Sequence, residues 1–266
     1  MSNTPNKAPD HDTPIAHTHR DFVSSLERGL DVISAFDQER AALSVSDVAM
    51  ATDMTRAAAR RHLITLAQLG YLVFDGKRYA MTTKVLRLAQ SYWHSTQLPK
   101  LLGAHVQRLA HALAGASTLS VLEGMDAVSV RAATDGSVLS PSLQPGARLP
   151  SHCTANGRVL LAALDDTARD ALLDSIRFKR LTPKTIVSRE RINIEVARCR
   201  EFGYATTDQE YELGMRALAV PIKNQRGETV AALNIIRNVA KDDSADFVER
   251  CLPALLSVQA EVRLVM

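Results

Sequence analysis

Residues 55–81, TRAAARRHLITLAQLGYLVFDGKRYAM, carry two local codes in succession, and reading them decides the architecture of the first third of the chain. Thr55 stands where a hydroxyl can accept the free amide hydrogens of a helix start, and Ala59, Leu63, Leu66 and Leu69 recur along one side. Arg56, Arg60 and Arg61 fall mostly on the other side, and Gly70 follows as the usual C-terminal stop. The period then changes, and Asp75-Gly76 between two short apolar runs is a strong hairpin signal. Upstream, Ser25 is the expected cap of a helix in which Leu26, Leu30, Ile33 and Phe36 keep helical spacing. Ser46 is the expected cap of a short one bearing Val48, Ala49 and Met50. Three helices and a hairpin predict a winged helix-turn-helix over 21–81.

Charge is distributed to match. Seven acids oppose two arginines from Asp21 to Asp53, whereas five cations oppose only Asp75 from Met54 to Ala80. The cations fall where double-stranded operator DNA would be read. Ser46, Thr55, Arg56, Ala57, Arg60 and Arg61 are the expected contacts around the reading helix, and Lys77 and Arg78 on the hairpin are expected on phosphates.

The remaining sequence bounds the rest. A length of 266 residues favours two compact units, and 46% hydrophobic with 23% charged residues excludes a largely disordered chain. No stretch reaches the roughly 18 apolar residues of a membrane span, and the N-terminus lacks the apolar core of a signal peptide, so a cytoplasmic protein is expected. Residues 1–20 read as a disordered tail. Cys153, Cys199 and Cys251 are too few and too scattered for a disulfide framework or a zinc site, and His105 and His111 miss the spacing that pairs ligands on a helix. No metal or cofactor is predicted.

Residues 82–98 read as a linker helix, ended by Pro99, whose Val85, Leu86, Leu88, Ala89, Tyr92 and Trp93 offer more apolar surface than one helix needs; pairing with a second subunit is expected, the alternative being burial against the chain's own helices. From 99 to 266 helices and strands mix: a helix over 101–114, strands at 117–123 and 127–133, and a helix over 152–164 after a Pro/Gly-rich loop. Helices around 168–175 and 189–202, strands at 204–209, 217–222 and 229–236, and a final helix over 245–264 complete the domain. Strands outnumber crossover helices, which predicts an α+β domain with an antiparallel sheet flanked by helices. The helix expected to start near Ser151 offers free N–H groups and a positive dipole end, with Ser151, Cys153, Thr154 and Asn156 as small or hydrogen-bonding neighbours, a potential carboxylate site. No catalytic residues are assigned: Ser151, His152 and Cys153 are adjacent, there is no G-x-S-x-G elbow or P-loop, and Asp208 and Glu210 read more plainly as a solvated turn than as an acid/base pair.

The stretches FVSSLERGLDVISAF, RAAARRHLITLAQLGY, DGKRY with KVLRLA, LPSHCTANGRVLLAAL, and DQEYELGMRALAVPI with GETVAALN together resemble the IclR family, and within it the branch regulating aromatic-acid catabolism through protocatechuate and β-ketoadipate. The resemblance implies a GAF-like effector-binding domain, homodimers or homotetramers and no enzymatic activity. It also implies a pocket over the sheet, lined by Ala155 and Asn156, Thr207 or Asp208, Met215 and Ala217, and Asn234 with Ile236. Two departures stand out: Ile235, Ile236 and Arg237 follow the final Asn, and ALAV replaces the family's SIAV. Ile236 and Met215 make an apolar pocket edge, which favours an aromatic or longer carboxylic acid. The resulting expectation is a regulator of catabolic genes that senses a small acid; the alternatives are an enzyme using the C-terminal domain as its active site, or an effector-independent DNA binder.

Overall fold

The computed structural model describes residues 22–37, 40–136, 140–241 and 244–266; the tail expected over 1–20 lies outside them. The chain divides into two compact units, one ending at His94 and one running from Ser95 to Met266.

In the first unit, α1 (Ser24–Ser34), β1 (Ala42–Leu43), α2 (Val45–Ala51), α3 (Arg56–Gln68), β2 (Leu72–Phe74) and β3 (Tyr79–Met81) enclose one core. Val32, Val48, Ala59, Leu63, Leu72 and Tyr79 are buried in it. The strands form an antiparallel sheet in the order β1-β3-β2. Thr55 caps α3 by accepting the Ala58 amide at 3.2 Å, and Gly70, at φ +78, takes the left-handed conformation that ends the helix.

Two expected caps differ. The cap of α2 is Ser44, not Ser46: Ser44 Oγ accepts from Asp47 N at 3.3 Å while the Asp47 carboxylate accepts from Ser44 N at 2.8 Å, a reciprocal capping box. Helix α1 begins at Ser24 after Val23 and takes no side-chain cap from Ser25. Half of its expected apolar stripe turns outward, with Leu26 and Leu30 exposed, while Ile33 and Phe36 pack against the core that Val32 and Ala35 enter.

After a 3-10 turn comes α4 (Leu86–Ser95), and beyond the break at Thr96 α5 (Gln97–Ala112) follows. Pro99 does not interrupt a helix. It lies in the first turn of α5, where its missing amide hydrogen has no partner to lose.

The second unit has three layers around a six-stranded antiparallel sheet: β4 (Ala116–Glu123), β5 (Asp126–Thr134), β6 (Arg148–Pro150), β7 (Ala205–Asp208), β8 (Met215–Lys223) and β9 (Thr229–Asn238), in the order β6-β5-β4-β9-β8-β7. Alternation along the strands sorts residues between faces. Leu119, Leu218, Val220, Leu233 and Ile235 share a buried core with Leu102 and Val106 of α5 and with Phe247 and Leu255 of α9 (Ser244–Arg263). Ala219 and Ala232 face the other way, against Ala155, Val159 and Leu160 of α6 (Ala155–Ala163). Helices α7 (Asp166–Ser175) and α8 (Arg189–Phe202) close over the far side of α6 through Leu161, Leu173, Ile192 and Val196.

Candidate functional site

Two surfaces invite a functional reading. On the first unit, Arg56, Arg60 and Arg61 are exposed along α3 with Thr55 and Ala57, and Lys77 and Arg78 are exposed on the hairpin. The hairpin is braced: Asp75 Oδ1 accepts the amides of both Lys77 and Arg78 at 2.7 Å, which holds its carboxyl below the ordinary aspartate range. Ser46, half-buried in the first turn of α2, presents less surface.

On the second unit, a cavity of about 240 Å³ opens on the α6 side of the sheet. Thr154, Ala155 and Asn156 come to its wall from the start of α6, Thr207 from β7, Met215 and Ala217 from β8, and Asn234 and Ile236 from β9. Alternation explains the strand contributions: Asn234 and Ile236 point to the face opposite Leu233 and Ile235.

Ser151, Cys153 and Asp208 stand away from this wall. The helix expected near Ser151 begins four residues later, because Ser151–Cys153 form a buried 3-10 turn and Thr154 is the cap, accepting Gly157 N at 3.2 Å. Gly157 has a specific reason to be glycine: a Cβ there would lie 2.2 Å from Ser151 O and 2.3 Å from Ser151 Cα. The close approach folds the turn under the helix start and leaves the α6 N-terminus on the cavity.

A polar network fixes the wall. Asn156 Nδ2 donates to Ser120 Oγ at 2.8 Å and to Thr118 Oγ1 at 3.0 Å; Asn234 Oδ1 accepts from the Thr118 amide at 2.8 Å and its hydroxyl at 3.0 Å. All four side chains are buried, so these bonds carry the full cost of desolvation if one partner is lost. Thr118 and Ser120 escaped the sequence reading, although their spacing of two on β4 puts both on the face opposite Leu119. The segment 140–143, which contributes Ser140, Ser142 and Leu143, and Tyr211 with its hydroxyl bonded to Ser142, carried no recognisable sequence signal.

Asp208 and Glu210 do not form a carboxylate pair. Asp208 accepts from Lys184 Nζ at 2.8 Å and Arg216 Nε at 3.1 Å; burial opposes its ionisation, but these two cations prevail and hold it below its ordinary value. Glu210 is buried and accepts from Arg158 Nη2 at 2.6 Å; there desolvation prevails over the arginine and pushes the carboxyl upward. Arg158 also donates to Thr206 O at 3.0 Å and His152 O at 3.3 Å. This pair ties α6 to the segment after β7, where Gln209, at φ +59, starts the turn that brings Glu210 and Tyr211 to the cavity.

Burial pushes the Cys153 thiol up to about 12 and the Cys199 thiol to about 11, so neither supplies a nucleophile near neutral pH. Native protein treated with iodoacetamide at pH 8 is expected to stay unmodified at Cys153 and Cys199, and to alkylate at both once unfolded. Peptide mass spectrometry showing native modification of Cys153 would contradict the burial.

A winged helix-turn-helix with an arginine-bearing third helix, followed by a separate cavity-bearing α+β unit, defines a DNA-binding regulator of the one-component type. The chain belongs to the IclR family of bacterial transcriptional regulators: residues 25–76 match the IclR helix-turn-helix domain and residues 90–261 the bacterial transcriptional regulator IclR C-terminal domain. It is 37% identical to the Pca regulon regulatory protein of Pseudomonas putida over 91% of this chain and 84% of that one. A crystal structure of a transcriptional regulator from Rhodococcus sp. RHA1 matches with a TM-score of 0.80 at 38% identity, covering 91% of this chain and 98% of that one. The inducer-binding domain of the PobR transcription factor from Acinetobacter, a double mutant in complex with 3-hydroxybenzoic acid, matches with a TM-score of 0.61 at 29% identity, over 64% of this chain and 100% of that domain. No helix among the described residues is long and apolar enough to cross a membrane.

Proposed function

We propose that the second unit binds a single-ring aromatic acid in the cavity and that occupancy shifts the affinity of the first unit for operator DNA, so that aromatic-catabolic genes respond to the acid. The observation that carries this is the cavity itself, with Asn156 and the α6 N-terminus at one wall and Met215, Ala217 and Ile236 at another. A volume of about 240 Å³ lies below the roughly 300–1,000 Å³ typical of sites for drug-sized ligands, which suits one ring. The free amides at the start of α6 take the carboxylate, and the apolar residues take the ring. The 3-hydroxybenzoic acid held by the PobR domain and the Pca regulator relative support an aromatic effector.

On the first unit, Arg56, Arg60 and Arg61 reach the duplex from α3, and Lys77 and Arg78 from the hairpin. Leu86, Leu88 and Tyr92, exposed along α4, suit subunit pairing. The protein works in the cytoplasm as a regulator without catalysis.

Thermal-shift and calorimetric titrations with 3-hydroxybenzoate, 4-hydroxybenzoate and protocatechuate against glyoxylate test this reading. An aromatic acid at 100 times its Kd is expected to stabilise the protein by about 2.7 kcal/mol. Ala217→Leu, which fills the cavity from β8, is expected to lower its affinity at least tenfold while the protein stays folded. Equal binding of glyoxylate, or wild-type affinity in the leucine variant, would overturn the assignment.

A further inference from the structure

Between α7 and α8 the chain passes from Ile176 to Ser188 without helix or strand. Residues 177–191 hold six cations, Arg177, Lys179, Arg180, Lys184, Arg189 and Arg191, against Glu190 alone, an excess larger than the +3 of the whole chain. Two of the six are neutralised within the fold: Lys184 by Asp208 at 2.8 Å, and Arg189 by Asp174 and by Asp170 at 3.7 Å. Arg177, Lys179, Arg180 and Arg191 are exposed and make no ion pair among the described residues.

This loop is braced in spite of its irregular backbone. The Phe178 ring meets the buried His152 ring edge-on at 5.4 Å, and Lys179 O lies 3.4 Å from His152 Nε2. Thr185 Oγ1 accepts the amides of Leu181 at 3.0 Å and Thr182 at 2.8 Å. The Thr182 and Thr185 hydroxyls in turn donate to Gln209 O at 2.7 Å and Glu210 O at 2.6 Å. Ile176 and Phe178 turn partly inward while Arg177 and Lys179 alternate outward.

We propose that this loop, with the first turn of α8, is a second polyanion-binding surface, which engages the phosphates of duplex DNA outside the sequence read by the helix-turn-helix. Four cations without an ion pair stand on a fixed backbone, which lowers the ordering cost of meeting phosphates, and three of them are arginines, whose forked donors suit phosphate oxygens; one of these, Arg180, also donates to Pro183 O at 3.3 Å and Thr185 O at 3.5 Å. DNA is favoured over an acidic protein because the same chain carries a helix-turn-helix unit, so a duplex is a polyanion that the protein already meets.

The test uses the full chain carrying Arg56→Ala, Arg60→Ala and Arg61→Ala, so that binding through α3 is weakened and no effector is involved. Its affinity for a fluorescein-labelled 40-bp duplex of random sequence is measured between 50 and 200 mM salt, before and after adding Arg177→Gln, Lys179→Gln and Arg191→Gln. Loss of three phosphate contacts is expected to lower the log–log salt slope by about 2.7, at about 0.9 per contact, with the melting temperature unchanged. An unchanged slope overturns the proposal. Unchanged duplex binding with lost retention on immobilised polyglutamate also overturns it, in favour of an acidic protein partner. Neither result bears on the aromatic-acid site.

Discussion

Glu210→Ala is expected to destabilise the second unit by about 3–5 kcal/mol, because it leaves the Arg158 guanidinium buried without its counter-charge. Arg158 is 1% exposed, and the carboxylate left nearest to it, Glu195 Oε2, is 4.0 Å away. The backbone acceptors Thr206 O and His152 O remain, but they are neutral and cannot replace a charge in a site of low polarisability. Glu210→Gln keeps an acceptor for the guanidinium and for Ile186 N and is expected to cost less than the alanine change. The double change Arg158→Met with Glu210→Leu removes both charges and should recover most of the loss. Chemical denaturation of wild type and these three variants measures the differences. A Glu210→Ala loss below about 1 kcal/mol would mean that water reaches the arginine and that the pair is not a buried one. The consequence for function is direct, since Glu210 and Tyr211 sit on the cavity wall and the pair holds their segment against α6.

Gly157→Ala is expected to be nearly as damaging, at about 3 kcal/mol, the upper part of the range for over-packing. The new methyl carbon would overlap three backbone atoms of Ser151, at 2.2, 2.3 and 2.6 Å, and backbone cannot swing aside as a side chain does. Relief requires moving the Ser151–Cys153 turn or α6, and both are buried. At roughly 3 °C per kcal/mol for a unit of this size, the transition should fall by about 10 °C in differential scanning calorimetry. A same-helix control, Ala163→Gly near the far end of α6, carries only the helix-propensity cost of about 1 kcal/mol. If Gly157→Ala melts with the wild type, the turn under α6 is looser than described.

The parts of the fold that were legible in the sequence are those written in local code. Thr55 and Gly70 bracket α3, and Asp75-Gly76 makes the hairpin, because a cap or a tight turn needs only residues two to four apart. The cap of α2 was misplaced between two serines; the Ser44-x-x-Asp47 spacing distinguishes them, since only Ser44 has an acid three residues on. Strands β1 and β6, two and three residues long, have too few positions for a period to appear. Eight of the expected effector contacts reach the cavity because strand alternation and a helix start place them there. Ser151 and Cys153 do not, because the 3-10 turn folding under Gly157 depends on a close approach that composition does not announce. The partnership of Arg158 with Glu210 joins residues 52 positions apart and left no periodic trace.

The central place of β9 in the sheet also orders events during synthesis. The first unit closes through contacts such as Ala42 with Ala80, all available once the first third of the chain exists. The cavity cannot close so early: Asn234 must pair with Thr118, 116 residues before it, and β9 must slot between β4 and β8. Such distant pairing is the slow kind, so on the ribosome a nascent regulator acquires its reading head well before it acquires anything to listen with.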